Sequence, residues 1–138
     1  MTFVDTNVLA YAHDASEARR RPVAAAVLDC LWRDRSGVLS TQVLQEFYNV
    51  ATRKFAPPMR RQEARELIGA YGQWRLVQVD LPLILAASAL EERHSLSFWD
   101  ALIVEAAHRS GAVRLVSEDL QAGRSLRGVV VENPFLGG

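Results

Sequence analysis

Four acidic residues, Asp5, Glu46, Asp100 and Asp119, occupy positions from which they could act together. Asp5 directly follows a short apolar run, and Asp119 comes just after another. Asp100 lies in the first turn of a predicted helix, and Glu46 lies in the second turn of a different one. In a parallel sheet, the ends of the strands and the starts of the following helices meet at one edge. We therefore expect the four carboxylates to share one pocket.

A cluster of four carboxylates favours a bound cation. Two carboxylates ~4 Å apart repel each other by roughly 4 kcal/mol at an effective dielectric constant near 20, so the group must take up protons or bind a cation. The chain has one cysteine and three scattered histidines, which disfavours zinc or copper. Oxygen ligands favour Mg²⁺ or Mn²⁺, and such an ion in an acidic pocket most often serves phosphate chemistry.

Each acid taken alone has a simpler interpretation. Asp5 could cap a helix, and Asp100 could form a capping box with Ser97. Glu46 could be a solvated residue beside an apolar stripe, and Asp119 an ordinary turn residue. Only their common placement at one edge of the sheet favours a functional site.

The pattern of elements that positions these acids predicts an α/β fold. Short apolar runs without alternation are typical of strands buried on both faces, and helical periodicity separates them. We expect a three-layer sandwich whose central, mostly parallel sheet has about five short strands, at Thr2–Val4, Val38–Ser40, Leu76–Val79, Val113–Val116 and Val129–Val131. No linker or repeat divides residues 1–138, which predicts a single domain.

Two of the connecting helices have predicted caps. One helix is expected over Glu17–Asp34 with Ser16 as its N-cap, and another over Thr41–Lys54 with Ser40 as its N-cap.

Composition limits the classes of partner and location. The net charge is zero, from 16 basic and 16 acidic residues, which argues against coating of nucleic acid through bulk electrostatics. A single cysteine, an N-terminus unlike a secretory signal, and no apolar run near the ~20 residues of a membrane span predict a cytoplasmic protein without a membrane partner.

The segments around the four acids resemble the successive motifs of PIN domains, and most closely those of VapC toxins from bacterial toxin–antitoxin pairs. These segments are Phe3–Leu9, Gln45–Tyr48, Phe98–Ile103 and Leu115–Asp119, and the resemblance covers essentially the whole chain.

This resemblance implies a Mg²⁺- or Mn²⁺-dependent endoribonuclease whose acidic quartet is Asp5, Glu46, Asp100 and Asp119, with Asp5 and Asp100 as the principal metal ligands. Thr6, Asn7 and Ser117 match the polar positions that accompany the acids. The family's Ser/Thr-x-Asp pattern selects Asp119 rather than the adjacent Glu118.

The same resemblance implies a mechanism and partners. A metal-activated water would hydrolyse RNA and leave a 5′-phosphate and a 3′-hydroxyl. The chain would form a homodimer, with the helix around Leu83–Leu90 as a candidate interface, and a cognate VapB-type antitoxin would neutralise it. Two apolar helix faces are candidates for the antitoxin groove: Val43, Leu44, Phe47, Tyr48 and Val50 on one, and Leu67, Ile68 and Tyr71 on the other.

Two other function classes stay open from the residues alone. A Mg²⁺-dependent phosphatase-like enzyme also places aspartates at strand ends, but it needs a lysine near them. The only lysine, Lys54, ends a predicted helix, and Asn7 stands where such a phosphatase has a second aspartate. A non-catalytic scaffold that binds RNA or protein is the other alternative, and metal titration distinguishes it from an enzyme.

Overall fold

The computed structural model describes residues 1–136. This part of the chain contains six strands and six helices, with two helices after each of the first three strands. The strands are β1 (Thr2–Val4), β2 (Gly37–Ser40), β3 (Arg75–Val77), β4 (Arg114–Val116), β5 (Ser125–Leu126) and β6 (Val129–Glu132). The helices are α1 (Thr6–His13), α2 (Arg20–Asp34), α3 (Thr41–Arg53), α4 (Arg61–Tyr71), α5 (Leu81–His94) and α6 (Phe98–Arg109).

The six strands form one sheet in the order β3-β2-β1-β4-β6-β5. Every neighbouring pair is parallel except β5 and β6, which are antiparallel. In the central pair, Val4 of β1 lies opposite Val116 of β4. This register brings the residues that follow both strands to the same edge of the sheet.

Helices flank the sheet, and apolar strand residues fill the space between the layers. Phe3 in β1, Leu39 in β2 and Leu115 in β4 are fully buried. Helices α1 to α4 pack against one another, and α5 packs along α6. The expected α/β architecture with a central, mostly parallel sheet is confirmed. No helix within residues 1–136 has the length and apolar character needed to cross a bilayer.

Local differences from the sequence predictions have identifiable causes. Ser16 does not cap α2, because its backbone N–H and its hydroxyl both donate to the carboxylate of Asp14, and the helix begins only at Arg20. Strand β5 was not expected, since two residues are too few to give a periodic signal. Ser40 does cap α3, by accepting a hydrogen bond from the backbone N–H of Val43.

Replacing Gly37 with alanine is expected to lower the free energy of unfolding by about 1–3 kcal/mol, the usual range for overpacking a core. An added Cβ at Gly37 would clash with the six-membered ring of Trp74. The Trp74 ring cannot move aside freely because it packs edge-on against Trp32 and Tyr71. Denaturant unfolding measures the change.

Gly69→Ala is the matched control for this substitution. Gly69 lies within α4, and a Cβ there meets nothing within 4 Å. Alanine in a helix is favoured over glycine by about 1 kcal/mol, so this variant should be more stable than the wild type. Equal stability of the two variants would contradict the packing described for Gly37.

Candidate active site

A cavity of about 620 Å³ opens at the carboxyl edge of the sheet. All four acids of the predicted quartet line it, together with Thr6 and Asn7. Its other lining residues are Ala10, Tyr11, Gln42, Gln45, Asn49, Val50, Lys54, Trp99 and Ile103. Strand β1 and helices α1, α3 and α6 thus direct residues that are distant in sequence into one space.

Asp5 is held at the inner end of this cavity by backbone pairing that continues past the strands. Its N–H donates to the carbonyl of Val116 at 3.0 Å. Its side chain caps α1, with Oδ1 accepting from the backbone N–H of Thr6 at 2.7 Å and Oδ2 from the hydroxyl of Ser117 at 2.7 Å. Only 5% of Asp5 is exposed, so its carboxylate is a fixed group.

The environment of Asp5 opposes its ionisation. Burial raises the pKa of Asp5 to about 6, and the hydrogen bonds from Ser117 and Thr6 only partly offset that effect. This raised pKa includes smaller upward contributions from the negative charges of Asp119 and Asp100. Asp5 faces two other carboxylates, so their negative charges repel one another. A cation bound among them would favour the ionised form of all three.

Asp100 reaches the cavity from the first turn of α6. Ser97 caps that helix by accepting from the backbone N–H of Asp100 at 3.1 Å, so the predicted capping interaction is present at a residue that also faces the cavity. Burial raises the pKa of Asp100, the hydrogen bond with Ser97 lowers it, and the charge of Asp119 raises it again. Asp119 therefore acts on both Asp5 and Asp100.

Glu46 and Thr6 form one polar contact across the cavity wall. The Thr6 hydroxyl donates to Oε1 of Glu46 at 2.7 Å, which joins the start of α1 to the second turn of α3. Glu46 is half-buried rather than solvated.

Ser117 and Asn7 hold the chain segment that follows β4. The Ser117 hydroxyl donates to Asp5 and also accepts from the backbone N–H of Asp119 at 3.2 Å. Oδ1 of Asn7 accepts from the backbone N–H of Glu118 at 3.2 Å, while its Nδ2 is buried without a partner. Ser117 contacts two of the acids directly, and Asn7 lines the same cavity.

Glu118 points away from the cavity. Its carboxylate accepts from the hydroxyl of Tyr11 at 2.6 Å and from Nε of Arg20 at 2.7 Å. Partial burial raises the pKa of Glu118, but these hydrogen bonds and the charge of Arg20 outweigh it and keep the pKa below its usual value. Glu118 is therefore an anchor for the loop, and Asp119 is the acid of this segment that faces the cavity.

The donor set of the cavity fits a hard divalent cation held largely through water. The acidic side chains of the cavity offer oxygen atoms to an ion, whereas the unpartnered Nδ2 of Asn7 is a hydrogen-bond donor that can hold a water molecule but not the cation itself. Within residues 1–136, no group of three or more Asp, Glu, His or Cys side chains is placed to hold one ion. Mg²⁺ commonly binds through one or two carboxylates and keeps several waters, which suits this arrangement.

Several lining residues were not identified from the sequence. Gln42 is buried and donates to the backbone carbonyl of Trp99 at 3.3 Å, while its Oε1 has no partner. Trp99 also lines the cavity and is 62% exposed. Gln45, Asn49 and Lys54 line the side formed by α3. Neutral amides and a helix-terminal lysine give no sequence motif by which to recognise them.

Some of the residues predicted to form an apolar groove lie in the core, and others line a groove at the surface. Val43, Phe47 and Tyr71 are buried in the core. Leu44, Tyr48 and Ile68, together with Thr41, Gln45, Asn49 and Arg53, line a second, more open groove of about 660 Å³ beside the acidic cavity. The two spaces share Gln45 and Asn49, so a ligand in this groove would border the acids.

Comparison with known proteins identifies the family of this chain. The PIN domain family profile matches residues 2–124. No curated protein is significantly similar to the chain in sequence.

Several solved structures, among them these three, share the fold. VapC20 of Mycobacterium tuberculosis, described as a toxin that cleaves the sarcin–ricin loop, is 24% identical with a TM-score of 0.64, over 83% of this chain and 87% of that one. VapBC2 of Rickettsia felis, bound to a promoter DNA fragment, is 17% identical with a TM-score of 0.63, over 96% and 97%. FitAB bound to a DNA fragment is 18% identical with a TM-score of 0.62, over 98% and 96%.

Proposed function

The chain belongs to the PIN domain family, and from that premise we propose that it is a divalent-metal-dependent endoribonuclease. One observation supports this most strongly: a single cavity receives Asp5, Glu46, Asp100 and Asp119 from four separate segments of the chain. A buried carboxylate with raised pKa beside two other acids is unfavourable for stability, and a cation-dependent reaction explains why the fold retains it.

Asp5 and Asp100 are the proposed principal ligands of Mg²⁺ or Mn²⁺, with Asp119 and Glu46 completing the acidic set. When bound, such an ion supplies a water of lowered pKa and neutralises charge that develops on the phosphate. The hydrogen bonds from Thr6 and Ser117 fix the orientation of Asp5. The contact of Ser117 with the backbone of Asp119 ties the two acids to one hydroxyl.

The proposed biological role is that of a toxin paired with a VapB-type antitoxin. The fold similarity to VapC20, VapBC2 and FitAB supports it. So does the open groove lined by Leu44, Tyr48 and Ile68, which is suited to an amphipathic antitoxin segment beside the acids. A toxin that acts on cellular RNA would be cytoplasmic.

A homodimer is the proposed assembly. The face of α5 with Leu83 and Leu90 is buried within the chain, whereas Leu81, Ile84 and Leu85 are exposed. These three residues at helical spacing are the part of α5 available to a second copy.

A cleavage assay tests the proposed activity. Purified protein should cleave single-stranded RNA with Mg²⁺ or Mn²⁺, and chelation with EDTA should abolish cleavage. Because water is the nucleophile, the products should carry a 5′-phosphate and a 3′-hydroxyl. Cleavage that persists in EDTA, or products with a 2′,3′-cyclic phosphate, would contradict the mechanism. No cleavage and no Mn²⁺ binding would favour the scaffold alternative.

Glu118→Ala should lower RNA cleavage by about 10–100-fold, the range observed when a group that orients metal ligands is removed. The substitution frees Tyr11 and Arg20 and loosens the loop that carries Asp119. The apparent Mn²⁺ affinity should fall with it, measured by calorimetry. Glu66→Ala, which removes an exposed glutamate of α4, is the control. Wild-type Mn²⁺ affinity in Glu118→Ala would show that the anchor does not position Asp119.

A further inference from the structure

Lys54 is the only lysine of the chain, and it lines the cavity that holds the four acids. Within residues 1–136 it is the only basic side chain in that lining. The ion pairs in this range involve arginines only, so no carboxylate lies within 4.0 Å of the Lys54 ammonium group. Its charge is available to a ligand.

The backbone of Lys54 is fixed although its side chain is exposed. Its N–H closes α3 by donating to the carbonyl of Val50 at 2.7 Å. The next residue, Phe55, is buried against Phe47. Beyond it, the N–H of Met59 donates to the carbonyl of Ala51 at 2.9 Å, so the chain folds back along the helix. The position from which the lysine extends is therefore set by the core.

Helix α3 connects Lys54 to the acids along a face on which polar residues flank Val50. Gln45, Glu46, Asn49 and Lys54 all line the cavity. At 1.5 Å per residue, Lys54 lies about 12 Å beyond Glu46 along the helix axis. Asn49 lies between them and Gln45 directly precedes Glu46; both amides are exposed, and each can donate and accept hydrogen bonds.

We propose that Lys54 binds a backbone phosphate of single-stranded RNA at one side of the bond to be cleaved, and that the strand runs along α3 past Asn49 and Gln45 to the acids. This inference rests on the proposed nuclease function. A polyanion must enter a cavity lined by four carboxylates, and a cation at the C-terminal end of α3 offsets part of that repulsion without occupying the metal site. The neutral amides contact the strand without adding charge.

Steady-state cleavage of a mixed-sequence 12-nucleotide RNA with Mn²⁺ tests the role of Lys54. Lys54→Gln should raise KM by about ten-fold or more, the effect of losing one hydrogen bond to a charged group, with little change in kcat. Lys54→Arg, which keeps the charge, should restore most of the KM. Arg33→Gln is the matched control, because Arg33 is an exposed cation of α2 outside the cavity.

Two further measurements use an Asp100→Asn background, in which RNA should bind without being cleaved. The slope of log Kd against log salt should fall by about 0.7 on Lys54→Gln, the value for one phosphate contact with a single strand. Amine-selective acetylation reports the contact directly, since Lys54 is the only side-chain amine. Mass spectrometry should show that the RNA slows modification of Lys54.

The outcomes separate the two proposals. If the wild-type protein does not cleave RNA with Mn²⁺, the nuclease proposal fails and the Lys54 inference fails with it. If the wild-type protein cleaves, but Lys54→Gln matches Arg33→Gln in KM and salt slope and RNA does not protect Lys54, only the Lys54 inference is overturned.

Discussion

Asp100→Asn is expected to reduce RNA cleavage by about 10³-fold or more. A metal ion supplies several kcal/mol of transition-state stabilisation, and each 1.36 kcal/mol is about ten-fold in rate. The neutral amide of asparagine binds the ion far more weakly than a carboxylate does. Because the contact with Ser97 uses the backbone N–H of residue 100, helix α6 keeps its cap and the variant should fold.

The comparison for this loss is Asp29→Asn, which removes an exposed carboxylate of α2 outside the acidic cavity. It should cleave RNA at the wild-type rate. Both variants are assayed at saturating Mn²⁺ after circular dichroism confirms their fold. Cleavage by Asp100→Asn within about ten-fold of the wild type, a loss of only 1.36 kcal/mol, would remove Asp100 from the mechanism.

Asp5→Asn is expected to abolish cleavage to a similar extent and, in the absence of metal, to make the protein more stable at neutral pH. The pKa of Asp5 is raised from 3.8 to about 6, chiefly by burial. At 1.36 kcal/mol per unit, ionised Asp5 costs the folded protein about 3 kcal/mol. Asparagine removes that cost, and it keeps the N-cap because asparagine caps helices as well as aspartate does.

The sign of the pH dependence follows from the raised pKa. Below pH 3.8 the carboxyl is protonated in the folded and the unfolded chain and has no net effect. Between pH 3.8 and about 6 the unfolded chain ionises first, so the contribution of Asp5 to stability falls as pH rises and then stays low. The stability difference between Asp5→Asn and the metal-free wild type should therefore grow across this interval.

Denaturant unfolding in EDTA from pH 4 to 8 measures this difference. Adding Mn²⁺ at pH 7.5 should stabilise the wild type, since a ligand of the folded state shifts the equilibrium by mass action, and should have little effect on Asp5→Asn. If Asp5→Asn in EDTA at pH 7.5 is less stable than the metal-free wild type, the charge of Asp5 does not destabilise the fold.

The meeting of Asp5 and Ser117 could be predicted from the sequence because it depends on strand ends alone. Both residues follow runs buried on both faces, and β1 and β4 are parallel neighbours. The helix caps at Ser40 and Ser97 are also local features that a short pattern contains. The overall α/β architecture follows from the same alternation of buried strands and helices.

The role of Lys54 in the cavity wall could not be predicted, because it depends on contacts between distant parts of the chain. Its sequence context indicates only the end of a helix before two prolines. The fold-back of Met59 onto Ala51 and the burial of Phe55 decide where that end lies. Lys54 also extends from the end of α3 and not from a segment that follows a strand. The site therefore differs from that of the phosphatase-like alternative.

Sequence alone likewise could not predict which of the two acids after β4, Glu118 or Asp119, faces the cavity. Sequence alone placed two adjacent acids after β4 and left the choice between them to a family pattern. The choice in the structure depends on Tyr11 and Arg20, which lie about a hundred residues earlier and donate hydrogen bonds to the Glu118 carboxylate. Asp119, without such partners, is left facing the cavity.

Anomalous diffraction from a crystal soaked in Mn²⁺ tests the central claim most directly. We predict an anomalous peak in the cavity, with carboxylate oxygens of Asp5 and Asp100 among its ligands at the roughly 2.0–2.2 Å typical of small hard cations. The same peak should be missing from an Asp100→Asn crystal soaked identically. A wild-type crystal that shows no peak in the cavity at saturating Mn²⁺, from protein that cleaves RNA in solution, would contradict the account.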